Sequence, residues 1–205
     1  CISAFESGGR KRKVAVLTGH LFNDIAYYEN TIRPIVQKTF NTCGYLQKRP
    51  GCNGVSLVMA SAIFGFLEQL GFPVGQKHAL FIPQSVLDAD KLAIACVRGI
   101  FDTDGSIYRR YSKQYKGHRQ LYEGFVIQFK LEGELLLNQV KSILLRHGIK
   151  TNKIIRETNT AVLRITDQEH IKRFMQVVRP SNRYHVERYL NGCRAKSIYG
   201  PLAQR

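Results

Sequence analysis

The sequence contains two copies of one unit, and this internal repeat limits the possible fold more than any other feature. Cys1 corresponds to Ser106, 105 positions later, and Pro73 corresponds to Pro180, 107 positions later. Short apolar runs between these points recur at nearly the same offset, as in residues 55–58 and 162–165. So constant an offset indicates a duplicated supersecondary unit.

Each copy is predicted to run hairpin, helix, hairpin, helix, because alternating apolar runs are separated by Gly- and Pro-rich turns. The fold class is therefore α/β (α+β), with two pseudo-symmetric repeats built on antiparallel sheets. We expect Asn23 or Asp24 to cap the first long helix. In the first copy the strands are predicted at 2–5, 13–17, 44–48 and 55–59, and the helices at 25–40 and 62–70. In the second copy they are predicted at 106–110, 122–130, 151–156 and 161–165, and at 134–147 and 168–177.

One predicted helix, residues 87–105, has no counterpart in the first copy. The repeat offset places its twin in the 19 positions immediately before Cys1. We therefore expect either that a longer gene product supplies this helix or that the lineage lost it. The predicted domains are residues 1–86, the first repeat without that helix, and residues 87–191, the second repeat with it. Residues 192–205 show little periodicity and are predicted to form a loose tail.

The charge, apolar content and cysteine spacing disfavour a membrane-spanning protein and a zinc site, and they favour a partner with many negative charges. The 205 residues include 31 Lys and Arg against 15 Asp and Glu, a net charge of +16. With 44% apolar residues the chain can form a core, and it has no run of about 20 apolar residues that would span a membrane. The five cysteines form no C-x-x-C pair, which favours reduced thiols over a zinc site. We expect a soluble, intracellular protein with a polyanionic partner, nucleic acid above all.

Residues 97–107, with the sequence VRGIFDTDGSI, resemble the signature helix of the LAGLIDADG homing endonucleases, intron- or intein-encoded enzymes that cut long DNA sites. The resemblance implies that Gly99 lets two signature helices pack closely in the middle. It also implies that Asp104, at the helix foot, is a catalytic acid and metal ligand beside its symmetry mate, with Gly105 next to it at the metal site. The strands that follow would form a saddle in the DNA major groove.

The chemistry of phosphodiester hydrolysis agrees with these roles, since a divalent cation such as Mg²⁺ prefers hard oxygen ligands. By repeat position Lys130 resembles the family's basic pocket residue and is the second catalytic candidate, to stabilise charge on the phosphate. His20 falls near the matching place in the first copy and is a weaker candidate. Asp102 is expected to face solvent or a helix interface. The alternative for Asp104 is purely structural, because an isolated Asp-Gly pair is also an ordinary signal for the end of a helix.

Residues 17–25 can also be aligned with the motif, which would make Asp24 the catalytic acid. That alignment deletes the first hairpin and leaves residues 1–13 outside the fold. The repeat instead makes Thr18 the end of a strand and Asp24 a helix cap, so we prefer the repeat.

The predicted saddle carries basic and polar residues at equivalent places in both copies. Arg and Gln on strands can read guanine and adenine in the major groove, although for any single residue a phosphate contact is more common. Neutralising about eight phosphates would give a slope of log K against log salt near −7. The candidate nucleic-acid contacts of the first hairpins are Arg10, Lys11, Arg12, Lys13, Tyr108, Arg109, Arg110, Lys113, Gln114, Lys116, His118, Arg119 and Gln120. The candidates of the outer hairpins are Gln47, Lys48, Arg49, Lys153 and Arg156.

The sequence thus predicts a Mg²⁺-dependent, sequence-specific endonuclease of homing type, acting on double-stranded DNA as a monomer because both repeats lie in one chain. The alternative is a non-catalytic relative with the same surface, either a DNA-binding regulator or a maturase bound to intron RNA. An intein is disfavoured because no splicing-domain block follows Cys1.

Overall fold

The computed structural model describes the backbone of residues 2–7, 10–75, 80–110 and 124–199, and the side chains of residues 13–75, 80–110 and 124–193. The chain divides into two compact units, Cys1–Pro83 and Gln84–Arg205. Within the described residues, no helix is both long enough and apolar enough to cross a membrane.

The first unit is a four-stranded antiparallel sheet with helices, in which the strand order is β1-β2-β4-β3. Its strands are β1 (Ile2–Ser7), β2 (Arg10–His20), β3 (Tyr45–Lys48) and β4 (Gly54–Met59). Its helices are α1 (Leu21–Tyr27), α2 (Arg33–Phe40) and α3 (Ser61–Gln69), with a π-helical turn at Tyr28–Ile32 between the first two.

The second unit repeats this topology, because its strand order β5-β6-β8-β7 follows the same pattern. Its strands are β5 (Gly105–Arg110), β6 (Gly124–Leu131), β7 (Ile155–Arg156) and β8 (Ala161–Ile165). Its helices are α4 (Gln84–Leu87), α5 (Asp90–Asp104), α6 (Glu134–Arg146), α7 (Gln168–Val177) and α8 (Arg183–Tyr199). The predicted duplication, the mixed fold class and the antiparallel sheets are confirmed.

Strand alternation gives each sheet one face that packs on helices. In the second sheet Ile107, Ile127 and Ile165 form one buried row across three strands. On the same face Phe129 of β6 lies 5.6 Å from Phe101 of α5, between ring centroids. The alternate residues of each strand lie on the opposite face of the sheet, which we call the open face. In the second sheet the open face carries Ser106, Tyr108, Gln128, Lys130 and Arg164. In the first sheet it carries Thr18, Gln47 and Ser56.

The first long helix begins earlier than predicted. It starts at Leu21, and its N-cap is His20 rather than Asn23 or Asp24. The imidazole Nδ1 of His20 accepts from the Phe22 N–H, and Asp24 Oδ2 in turn accepts from the His20 N–H at 2.7 Å. These two bonds act as reciprocal caps, so the strand passes into the helix without a loop.

Two predictions for the second unit are wrong. The strand expected at 151–156 is reduced to Ile155–Arg156, and residues 192–199 belong to α8 instead of a loose tail. Gly192 allows α8 to pack closely, because a Cβ there would lie 2.1 Å from Phe125 Cζ. Only a residue without a side chain lets α8 lie so near β6.

Candidate nucleic-acid interface and carboxylate site

Asp104 is the last residue of α5, at the point where the helix runs directly into β5. The Gly105 N–H closes the helix by donating to the Phe101 carbonyl. A Cβ on Gly105 would lie 2.4 Å from Phe101 Cδ2, so the close approach requires glycine. The Asp104 carboxylate is exposed, and its Oδ2 accepts from the Thr103 hydroxyl at 2.9 Å. An exposed, oriented carboxylate therefore stands at the edge of the second sheet.

Asp102, two residues earlier, has a different environment. It is 1% exposed, and its carboxylate accepts from the N–H groups of Ser181 and Asn182 at 2.9 to 3.1 Å. Of the two places expected for Asp102, solvent is therefore wrong. Residues two apart on an α-helix point about 200° apart, so the two carboxylates face opposite sides of α5. Asp102 ties α5 to the segment that starts α8.

The sheet register brings Lys130 to the end of the sheet where Asp104 lies. Gly105 pairs with Phe129 in the antiparallel sheet. Asp104 precedes Gly105 and Lys130 follows Phe129, so Asp104 and Lys130 occupy neighbouring positions. The Lys130 ammonium forms an ion pair with Glu157, with Nζ 2.6 Å from Oε2. This hydrogen bond lowers the pKa of Glu157 below its ordinary value. The ion pair is therefore fully formed when the pH is above the ordinary pKa of a Glu side chain. It is lost as the pH falls through the lowered pKa of Glu157, where that carboxylate becomes protonated.

The oxygen atoms at Asp104 and Gly105 could provide part of the ligand set of a hard divalent cation. The described residues contain no cluster of three or more His, Cys, Asp and Glu side chains that could hold a metal ion. Asp104 provides one carboxylate, and the Gly105 backbone carbonyl follows it. Mg²⁺ is often held by only one or two carboxylates together with substrate phosphates and water. The donor set thus fits the protein's share of a site that a nucleic-acid phosphate completes.

A polar cluster on the open face of the second sheet was not foreseen from the sequence. Ser106, Gln128 and Arg164 form one row across β5, β6 and β8. The Gln128 carbonyl oxygen accepts from Arg164 Nε at 2.8 Å and from the Tyr108 hydroxyl at 3.3 Å. The alternation of side chains along a strand could have identified this row from the sequence. Gln128 and Arg164 are polar residues in otherwise apolar strands, and they lie at the alternate positions that face the open side.

The corresponding row of the first sheet is uncharged. Thr18 pairs with Ser56, and Ser56 pairs with Gln47 on the edge strand. The Thr18 and Ser56 hydroxyl oxygens are 3.3 Å apart, and Gln47 is exposed. The predicted contact Gln47 therefore lies on the open face. The two sheets therefore carry different chemical groups at equivalent positions.

Four predicted nucleic-acid contacts lie on the helix-packed side, because alternate residues of a strand face opposite ways. Arg109 Nη2 donates to the Gly192 carbonyl of α8 at 2.8 Å. Lys13 Nζ lies 5.0 Å over the Phe64 ring and 3.4 Å from Glu68 Oε2. Arg156 pairs with Glu134 of α6, and Lys48 is in register with the core residue Val55. Three of these side chains, those of Arg109, Lys13 and Arg156, thus contact helices, and a nucleic-acid contact by any of the four stays a prediction.

The remaining candidates divide into described and undescribed residues. Arg110 is exposed opposite Gly124 on β6, while Arg49 and Lys153 are exposed outside the strands. The side chains of Arg10, Lys11 and Arg12 lie outside the described part of the chain, as do Lys113, Gln114, Lys116, His118, Arg119 and Gln120 altogether.

Gly99 lies in the middle of α5, and a Cβ at that position would meet no atom within 4 Å. Leu92, two turns earlier on the helix, is 54% exposed. The close helix packing expected at Gly99 stays a prediction.

Comparisons with known proteins agree with the described geometry. Residues 91–179 match the family described as a LAGLIDADG-like domain. A search of curated proteins finds no match. Among solved structures, mesophilic variants of the homing endonuclease I-DmoI share 16% identity over 86% of each chain, with a TM-score of 0.59. I-DmoI in complex with DNA and Mn shares 17% identity over 86% of this chain and 87% of that one, with a TM-score of 0.58. The meganuclease I-SmaMI bound to uncleaveable DNA shares 11% identity over 99% and 87%, with a TM-score of 0.65.

Proposed function

We propose that this chain, which has the fold of the LAGLIDADG homing endonucleases and a LAGLIDADG-like domain at residues 91–179, binds double-stranded DNA and cleaves it with a divalent cation held at Asp104. The observation that carries the proposal is the position of Asp104. An exposed carboxylate ends the signature helix where that helix enters the strand that borders the polar open face.

Binding is supported by charge and by the open faces. A net charge of +16 on 205 residues favours a polyanion, and antiparallel strands can enter the major groove of a duplex. The open faces carry hydroxyl, amide and guanidinium groups that can hydrogen-bond to base edges. The related structures of I-DmoI and I-SmaMI contain DNA, which supports duplex DNA as the ligand class here.

Cleavage is proposed as hydrolysis of one P–O bond, in which water adds to phosphorus and a sugar oxygen leaves. When bound, Mg²⁺ neutralises phosphate charge and favours deprotonation of the attacking water. Asp104 would hold the cation through its exposed carboxylate, and the Thr103 hydroxyl would keep that carboxylate oriented. Lys130 would exchange Glu157 for the phosphate and stabilise the charge that develops there.

A second candidate, duplex binding without cleavage, is favoured by one specific observation. Lys130 already pairs with Glu157, and among the residues that the structure describes Asp104 belongs to no cluster of three or more His, Cys, Asp and Glu side chains. A protein with this geometry would bind the same DNA and leave it intact.

The first test of the proposal is selection of bound duplexes from a randomised library, followed by incubation of the selected duplex with Mg²⁺. The proposal expects selective duplex binding, weaker binding to structured RNA at equal salt, and strand breaks only with the metal. Preference for structured RNA would overturn the proposal in favour of an RNA-binding role. Selective duplex binding without breaks would support the second candidate.

A further inference from the structure

The side-chain amide of Gln128 has a fixed orientation. Its Oε1 accepts from Arg164 Nε at 2.8 Å and from the Tyr108 hydroxyl at 3.3 Å. A guanidinium has five N–H donors and no acceptor, so the amide atom that faces Arg164 must be the oxygen. The opposite orientation would set an NH₂ group against an N–H donor. The position of Arg164 therefore determines which way the amide points.

This orientation changes what Gln128 can recognise. An unconstrained Gln reads adenine with both amide atoms, accepting from the base's N6 amino group and donating to N7. Here the oxygen is engaged by two donors within the sheet, so the NH₂ group is the part of the amide that can bond to a base. The guanidinium of Arg164 adds only further donors. Gln128 and Arg164 thus offer donors on the open face.

We propose that Gln128 and Arg164 together form a specificity pocket for guanine in the major groove. Guanine presents two acceptors there, N7 and O6, whereas adenine presents one acceptor and one donor, and cytosine presents a donor. Gln128 and Arg164 offer only donors, so together they match the two acceptors of guanine and oppose the amino groups of adenine and cytosine, while thymine gives them one acceptor. This inference rests on the proposed duplex binding and names the base read at one position.

The first sheet lacks this arrangement. Its equivalent row consists of Thr18, Ser56 and Gln47, in which the hydroxyls can both donate and accept. No charge fixes the direction of that row. The guanine preference is therefore expected of the second sheet and not of the first.

Two substitutions at the pocket give opposite changes. Arg164→Leu removes the donor that holds the amide, so Gln128 can turn and read adenine. Gln128→Glu keeps both internal bonds but presents an acceptor outward, which favours the cytosine amino group. In libraries of duplexes selected by the 205-residue chain, each variant should change the base ratio at one position by about tenfold. Tenfold corresponds to about 1.4 kcal/mol, within the range of a specific base contact.

Control variants separate this role from a general effect on folding or charge. Gln176→Glu makes the same chemical change at an exposed residue of α7 and should leave the selected sequence unchanged. Tyr108→Phe removes one of the two internal bonds, but Arg164 still fixes the amide, so guanine should remain preferred.

The outcomes distinguish the inference from the proposed function. A wild-type chain that selects duplex DNA, with base preferences unaltered in both pocket variants, would overturn the guanine assignment alone. Guanine replaced by adenine in Arg164→Leu and by cytosine in Gln128→Glu would support it. A wild-type chain that binds no duplex would overturn the proposed function and the guanine assignment with it.

Discussion

Replacing Asp102 by alanine should destabilise the second unit strongly, whereas the same change at Asp104 should leave its stability almost unchanged. Asp102 is 1% exposed and accepts from the backbone N–H groups of Ser181 and Asn182. Alanine would leave both donors without this partner, and Asn182 is itself 1% exposed. Asp104 is exposed, and it bonds only through a neighbouring hydroxyl among the contacts described.

The expected magnitude follows from the two N–H groups. The Asn182 N–H is a buried donor, and leaving it unsatisfied costs roughly 1–3 kcal/mol in the free energy of unfolding, whereas the Ser181 N–H belongs to an exposed residue and can bond to water. A loss of that size is substantial against the roughly 5–15 kcal/mol that stabilises a typical domain. For Asp104→Ala we expect a change within about 0.5 kcal/mol, as for most exposed positions.

Urea denaturation followed by circular dichroism measures the free energies, and hydrogen exchange locates the effect. In Asp102→Ala the amides of α8 should exchange faster, because the tie to α5 holds the start of that helix. Equal stability of the two variants, or unchanged exchange in α8, would refute the argument that the buried carboxylate holds the segment before α8.

Three further perturbations test other parts of the structure. Gly192→Ala places a Cβ against Phe125, 2.1 Å from its Cζ, and should cost about 1–3 kcal/mol in a urea titration; an unchanged midpoint would contradict the close packing of α8. Phe101→Ala removes a fully buried ring and should cost about 3–5 kcal/mol in the same assay, with a loss below about 1 kcal/mol counting against its central place in the core. Lys130→Met removes the cation that is proposed to reach a phosphate and should make the salt dependence of DNA binding shallower than about −7 by about 0.9; an unaltered slope would show that Lys130 does not reach a phosphate.

The repeat and the amphipathic helices were predictable because their signals are local. Helix α7 was placed at residues 168–177 and is found at Gln168–Val177. Asp167 marks its start as the N-cap, where it accepts from the His170 N–H, and this bond lowers the pKa of Asp167. Where a cap and a regular apolar stripe coincide, sequence alone defines the helix.

The failures arose where tertiary packing overrides a local signal. Residues 192–205 were predicted to be a loose tail because they show little periodicity, but the missing side chain of Gly192 accommodates Phe125, a contact distant in sequence. Basic residues on strands were all assigned to one surface, although parity places Arg109 toward α8. The motif separated Asp104 from Asp102 in sequence, but only the packing of the segment around Ser181 shows that Asp102 is buried and hydrogen-bonded.

The most direct measurement of the central claim is the single-turnover cleavage rate of a selected duplex, with and without Mg²⁺, for the wild-type chain and for Asp104→Asn. The account predicts Mg²⁺-dependent breaks by the wild-type chain. It also predicts cleavage roughly a hundredfold or more slower by the variant at unchanged DNA affinity, because the fold does not depend on Asp104. Equal cleavage rates for the two chains would contradict the assignment of Asp104 as the catalytic carboxylate.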